Sequence, residues 1–131
     1  MLNRRGFVRG AAAGVGAIAA MSSGLEPSAQ EPTMSLNVIY PNKEGAKFDA
    51  AYYRSSHIPL AMKVMKADKV ILIEGVPMGT NPAPYAMIAH FQFASAAALQ
   101  AGLADPGMAG VRADVAKFTD IQPTVMLGKT V

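Results

Sequence analysis

The sequence predicts an α+β fold, a ferredoxin-like βαββαβ sandwich in which both helices cover one face of an antiparallel sheet. Three observations carry that expectation. Strand-like and helix-like segments follow one another in that order beyond residue 35. The segment "YAMIAHFQF" (85–93) alternates from one side to the other with the period of a half-buried strand. Clusters rich in Pro, Gly and Asn separate the segments. A chain of 131 residues with 51% hydrophobic and 16% charged residues has room for one domain and enough apolar material for a core.

The first element is the β-rich "LNVIY" (36–40), which stops at the turn formers of "PNKEG". From Phe48 to His57 the spacing is helical, with Phe48 and Tyr52 four apart and Tyr53 and His57 four apart on a neighbouring stripe. Pro59 disfavours helical geometry at Ile58, so this helix is expected to end near His57 and "PLAMKVMKA" to begin a new helical piece. "VILIEGV" (70–76) and "YAMIAHFQF" make the middle strands. Ser95 is placed to cap "AAALQAGLA", "DPG" (105–107) breaks that helix, and a second piece runs to about Lys117. "TDIQPTVML" (119–127) is the last strand. In the third strand Tyr85, Met87, Ala89, Phe91 and Phe93 face the helices, while Ala86, Ile88, His90 and Gln92 face away. In the last, Ile121, Pro123, Val125 and Leu127 oppose Asp120, Gln122, Thr124 and Met126, and this second row is expected on the open face. Left bare, that face would be an apolar patch, so a second copy of the chain, a homodimer, is expected to cover it.

Ahead of this domain lies "NRRGFVRG", with Arg4 and Arg5 adjacent, followed by the apolar run Ala11 to Met21. It resembles a twin-arginine export signal. The run is shorter than the roughly 20 residues of a membrane span and gives way to "SSGLEPSAQEP". Residues 1–29 are therefore read as a signal peptide cut near Ala29 or Gln30, and residues 30–131 as a periplasmic or otherwise extracytoplasmic domain with no membrane anchor after processing.

Composition excludes several classes. After the leader, nine basic residues stand against eight acidic ones, so the electrostatic footprint of a nucleic-acid binder is missing. There is no cysteine for a disulfide, a thiolate metal site or a nucleophile. Two histidines with scattered carboxylates lack zinc spacing, so no metal is expected. No glycine-rich phosphate loop follows a strand and no Gly-x-Ser-x-Gly elbow occurs, so no cofactor is expected.

Taken together, "YPNKEGAKFDAAYYRSSHIPL", "PYAMIAHFQF" followed by Ser95, and "FTDIQP" resemble the EthD family. This is a family of small proteins in the dimeric α+β-barrel superfamily, named for an association with ethyl tert-butyl ether degradation. The likeness covers about residues 35–129. It implies a ferredoxin-like protomer that pairs as a dimeric α+β barrel and encloses a cleft. The wider superfamily includes cofactor-free isomerases, polyketide cyclases and dehydratases, monooxygenases and haem-handling enzymes. Some EthD proteins are called reductases, a label for which this sequence shows no motif.

His57 reads in two ways: as a capping or core histidine, or as a working acid or base with a pKa near neutrality. In the working reading Asp120 orients His57 and Tyr53 donates a hydrogen bond to a substrate oxygen. Strand parity groups His90, Gln92 and Gln122 as substrate-binding candidates, with Asn37 from the first strand, against a dimer-interface reading of His90. Tyr40 and Tyr52 read as core or pocket wall. The expected function is a cofactor-independent isomerase, cyclase or dehydratase for a small hydrophobic carbonyl or aromatic compound. The other reading is a non-catalytic dimer that binds or scavenges a small apolar ligand.

Overall fold

The computed structural model describes residues 32–131. The expected export signal and its cleavage site lie outside the described residues. Strand β1 (Met34–Pro41) is followed by a helical stretch of three parts: α1 (Ala50–Tyr52), a π turn (Tyr53–His57) and α2 (Ile58–Met65). Then come β2 (Lys69–Glu74), β3 (Tyr85–Phe93), α3 (Ala96–Ala104) and α4 (Met108–Asp114). A 3-10 turn (Val115–Lys117) and β4 (Thr124–Lys129) complete the chain. The sheet order is β2-β3-β1-β4, and each neighbouring pair is antiparallel. This is the ferredoxin-like α+β arrangement.

The helix-facing row is Leu36 and Tyr40 on β1 with Met87, Ala89, Phe91 and Phe93 on β3, all buried. It packs against Ile58, Ala61 and Met65 of α2, Leu99 of α3, and Met108 and Val111 of α4. Burying the larger of these side chains, the Leu, Ile, Phe, Met and Val residues, stabilises by about 1.5–3 kcal/mol each. Ser95 caps α3 as expected, its Oγ accepting from the Ala98 N–H at 3.1 Å. Gly102 allows α3 to lie against the end of α2, since a Cβ there would sit 2.7 Å from the Met65 carbonyl oxygen.

Two expectations are corrected. The helix does not end at His57: Ile58 is helical at φ −65° and ψ −44°, and its N–H bonds back to the Tyr53 carbonyl. The wider turn accommodates Pro59, which has no N–H to give and whose ring crowds the carbonyl four residues back. His57 therefore lies inside a continuous helical stretch and not at a C-terminus. The stretch ends instead at Lys66, left-handed at φ 56°. The last strand begins at Thr124, not at 119. Thr119 is drawn into a bridge with Phe48, and its hydroxyl donates to the Lys47 carbonyl at 2.6 Å. Pro123 cannot donate to a ladder.

The helix-free face of the sheet carries Ile71, Ile73 and Met126, which are 43%, 51% and 54% exposed. Between them, on β1 and β3, runs a row of polar side chains.

Candidate active site

An inner chamber of about 170 Å³ opens between the sheet and the helices. The turn that absorbs Pro59 puts Tyr53 and His57 on its wall. Both are buried, and their rings stack with centroids 5.6 Å apart and planes at 18°. Phe118 closes on the imidazole at 4.6 Å. The rest of the lining is mainly apolar, with Leu36, Val38, Phe91 and Val111 among it.

His57 Nδ1 donates to Asp114 Oδ2 at 2.9 Å, and Tyr52 Oη donates to Asp114 Oδ1 at 2.8 Å. Lys117 Nζ lies 3.5 Å from the same Oδ1. Burial on its own would raise the Asp114 carboxyl, but the hydrogen bonds from His57 and Tyr52, with the nearby cationic groups, hold it below the usual carboxylate range. Conversely, the Tyr52 phenol is raised, first by its hydrogen bond to Asp114 and then by burial. With Nδ1 committed as a donor, Nε2 is the ring nitrogen free to take or give a proton. It has no hydrogen-bond partner among the described residues, and neither do the hydroxyls of Tyr40 and Tyr53. No fully enclosed polar side-chain atom among the described residues lacks a partner. The three unpartnered atoms therefore keep some solvent contact, and the residues that carry them line the chamber.

Asp120 does not reach His57. Its Oδ1 accepts from the Lys47 N–H at 3.1 Å, and the carboxylate that orients His57 is Asp114. Gln122 and Asp120 precede β4 and so do not join the open face. They line an outer cleft of about 540 Å³ that shares Arg112, Val115, Pro123 and Val125 with the inner chamber.

The remaining predicted residues do assemble, on the opposite side of the sheet. Asn37 Nδ2 donates to Ser35 Oγ at 3.0 Å and to the Met126 carbonyl at 3.2 Å. His90 Nδ1 donates to Asn37 Oδ1 at 2.6 Å, and His90 Nε2 accepts from Gln92 Nε2 at 3.1 Å. Gly128 leaves room for this ladder, since a Cβ there would stand 2.8 Å from Ser35 Oγ. Both nitrogens of His90 are engaged.

The EthD domain model matches residues 44–122, more than half of the chain. The chain belongs to the EthD family. Among solved structures it is similar to an EthD-like protein from Ralstonia eutropha JMP134, with 27% identity, 77% of this chain and 94% of that one covered, and a TM-score of 0.71. It also shares its fold with an ethyl tert-butyl ether degradation (EthD) family protein from Bacillus halodurans C-125, at 18% identity over 76% of this chain and 99% of that one, TM-score 0.62. A protein of unknown function from Nitrosomonas europaea matches at 20% identity and a TM-score of 0.52, over 78% of this chain and 92% of that one. No curated protein matches the chain.

Three residues of this EthD protein are not singled out for these roles by the sequence: Asp114, which holds His57, Tyr52 as the second donor to Asp114, and Arg112 on the wall of both cavities. A signal for the first was present. Val111, Asp114, Val115 and Phe118 follow the i, i+3, i+4, i+7 spacing of one helix face. An acid inside such a stripe must find a partner when the face is buried.

Proposed function

We propose that this EthD protein is a cofactor-independent proton-transfer enzyme acting on a small hydrophobic carbonyl compound. The observation that carries this reading is the division of labour on His57: Nδ1 is held by Asp114 at 2.9 Å while Nε2 is left over at an apolar chamber. In the proposed reaction Nε2 takes a proton from a carbon beside the carbonyl, and the electron pair moves onto the carbonyl oxygen as an enolate. The Tyr53 hydroxyl donates to that oxygen. Return of the proton to another carbon gives an isomer, whereas its transfer to a departing hydroxyl gives dehydration. Asp114 steadies the imidazolium formed on the way.

Two further features belong to the reading. The apolar residues that flank the polar ladder support pairing of the open face with a second copy. Within the ladder both nitrogens of His90 and both ends of the Asn37 amide are partnered, which lowers the cost of burying it. Arg4 and Arg5 ahead of an apolar run support export of the folded protein to the periplasm. Lysines at both positions are expected to hold the protein in the cytoplasm on cell fractionation, and unimpaired secretion of that variant would reject the assignment.

The chemistry is tested by proton NMR in deuterium oxide on a panel of aryl methyl ketones, together with mass spectrometry of any small molecule that co-purifies. Wild type is expected to exchange the protons beside the carbonyl, and His57→Ala to lose roughly 10²- to 10⁴-fold of that rate. An unchanged rate in His57→Ala removes the mechanism. Binding without exchange in wild type favours a scavenging protein instead.

A further inference from the structure

Tyr40 and Tyr53 reach the inner chamber from different elements, β1 and the π turn, and meet edge to face with centroids 5.7 Å apart. Each is 1% exposed. Neither hydroxyl has a hydrogen-bond partner among the described residues, although both rings line the chamber. Each hydroxyl keeps a little solvent contact, so water can meet it in the free protein, and a ligand that displaces that water must supply an acceptor or leave the group unmet at about 1–3 kcal/mol. Two such hydroxyls on one apolar chamber point to a partner supplied from outside.

We propose that Tyr40 and Tyr53 form a two-donor oxygen clamp and that the ligand is an uncharged single-ring compound whose one ketone or aldehyde oxygen both hydroxyls hold. The inference rests on the proton-transfer reading of His57 and deepens it by adding Tyr40 and a substrate class. Chamber size sets the ring count: about 170 Å³ is comparable to the apolar cavity of about 150 Å³ that accommodates one benzene. Charge sets the acceptor. Apart from His57, the inner lining carries one ionisable side chain besides the two phenols, Arg112, and that residue is shared with the outer cleft. Burial raises both phenols above the ordinary tyrosine range, Tyr53 further through its neighbour Tyr40, so both remain O–H donors. When Nε2 removes the proton, the charge that develops on the oxygen meets two preset donors. Returning the proton from Nε2 to carbon restores the enzyme with no other reactant consumed.

The test compares acetophenone with its hydrocarbon isostere α-methylstyrene, titrated into the protein, with the ¹³C=O stretch followed by infrared spectroscopy. Wild type is expected to bind the ketone about tenfold more tightly than the alkene, with the stretch moved to lower wavenumber. Tyr40→Phe and Tyr53→Phe should each weaken ketone binding by about fivefold, the scale of one hydrogen bond. Each should return part of the infrared shift and leave alkene binding unchanged. Equal affinity for the two probes in wild type overturns the clamp without reference to any variant, as does failure of both to bind at millimolar concentration. If ketone exchange depends on His57 while probe affinities are equal, the proton-transfer reading stands and the clamp falls. If the ketone preference needs both tyrosines but wild type exchanges nothing, the clamp stands and the chemistry falls.

Discussion

His57 and His90 are the two histidines of the chain, and they sit on opposite faces of one sheet. Each gives Nδ1 to an oxygen, from Asp114 in one case and Asn37 in the other. They differ at the second nitrogen. Gln92 claims Nε2 of His90, so neither ring nitrogen is left over for a substrate. On the cleft side no described residue claims Nε2 of His57, and the surroundings are apolar. The partners differ as well: a carboxylate can stabilise an imidazolium, whereas an amide oxygen only fixes a tautomer. A histidine is equipped for proton transfer by what its environment leaves unsatisfied, and mere presence on a sheet or in a helix says little.

The largest way to break this comparison, after removal of His57 itself, is at Asp114. Asp114→Asn keeps the shape but removes the charge, and is expected to lower exchange by about 10²-fold, with KM for the ketone little changed. A larger rise in KM than fall in kcat would make Asp114 a packing residue instead. Stability gives an independent reading. The folded carboxyl is depressed from its ordinary value of 3.8, so it contributes stability that is present above that value and lost as pH falls through the folded one. Thermal unfolding of wild type should therefore weaken progressively below about pH 4, and the Asp114→Asn curve should lack that component. Superimposable acid limbs for the two proteins would rule out the pair as a source of stability.

What the sequence disclosed divides along the same line. Period-two alternation placed the whole of β3 and both of its faces, because side chains in a strand alternate whatever surrounds them. It also put His90, Gln92 and Asn37 together, since cross-strand neighbours follow from parity once the strand order is right. The cleft was harder to read. Helical spacing pairs Tyr53 with His57, but local rules make Pro59 a stop, whereas the chain widens its turn to carry it. Nothing in the sequence shows that the backbone of Lys47 holds Asp120 away from His57. Asp114 lies inside an apolar helix stripe, and its significance depends on two helical segments meeting across more than fifty residues of sequence. Local rules fix faces; they do not fix which helix lies over which.

The next test takes the open face as a whole. If it is covered by a second copy, Ile73→Asp, at a site 51% exposed in the single chain, should leave the protomer folded but shift sedimentation at micromolar concentration from dimer to monomer. An interface of the usual size, on the order of 1,600 Å², does not tolerate a charge at its apolar core. A wild-type monomer under the same conditions would show that nothing of this kind covers the face.

The smallest expected effect sharpens the comparison most, because it asks the other histidine to do nothing. His90→Ala removes the central member of the ladder and leaves Asn37 Oδ1 and the Gln92 amide short of a partner. Gln92 is half-buried and recovers part of that loss from water, whereas Asn37 is buried and recovers less, so the cost should lie within about 1–3 kcal/mol. For a domain of this size that is a fall in Tm of about 4–8 °C per kcal/mol. Ketone exchange per folded protein should stay within about twofold of wild type, since the ladder is separated from the chamber by the sheet itself. A rate that drops as far as in His57→Ala, with Tm nearly unchanged, would mean that the ladder acts on the reaction, and the open face would then have to be counted as part of the site.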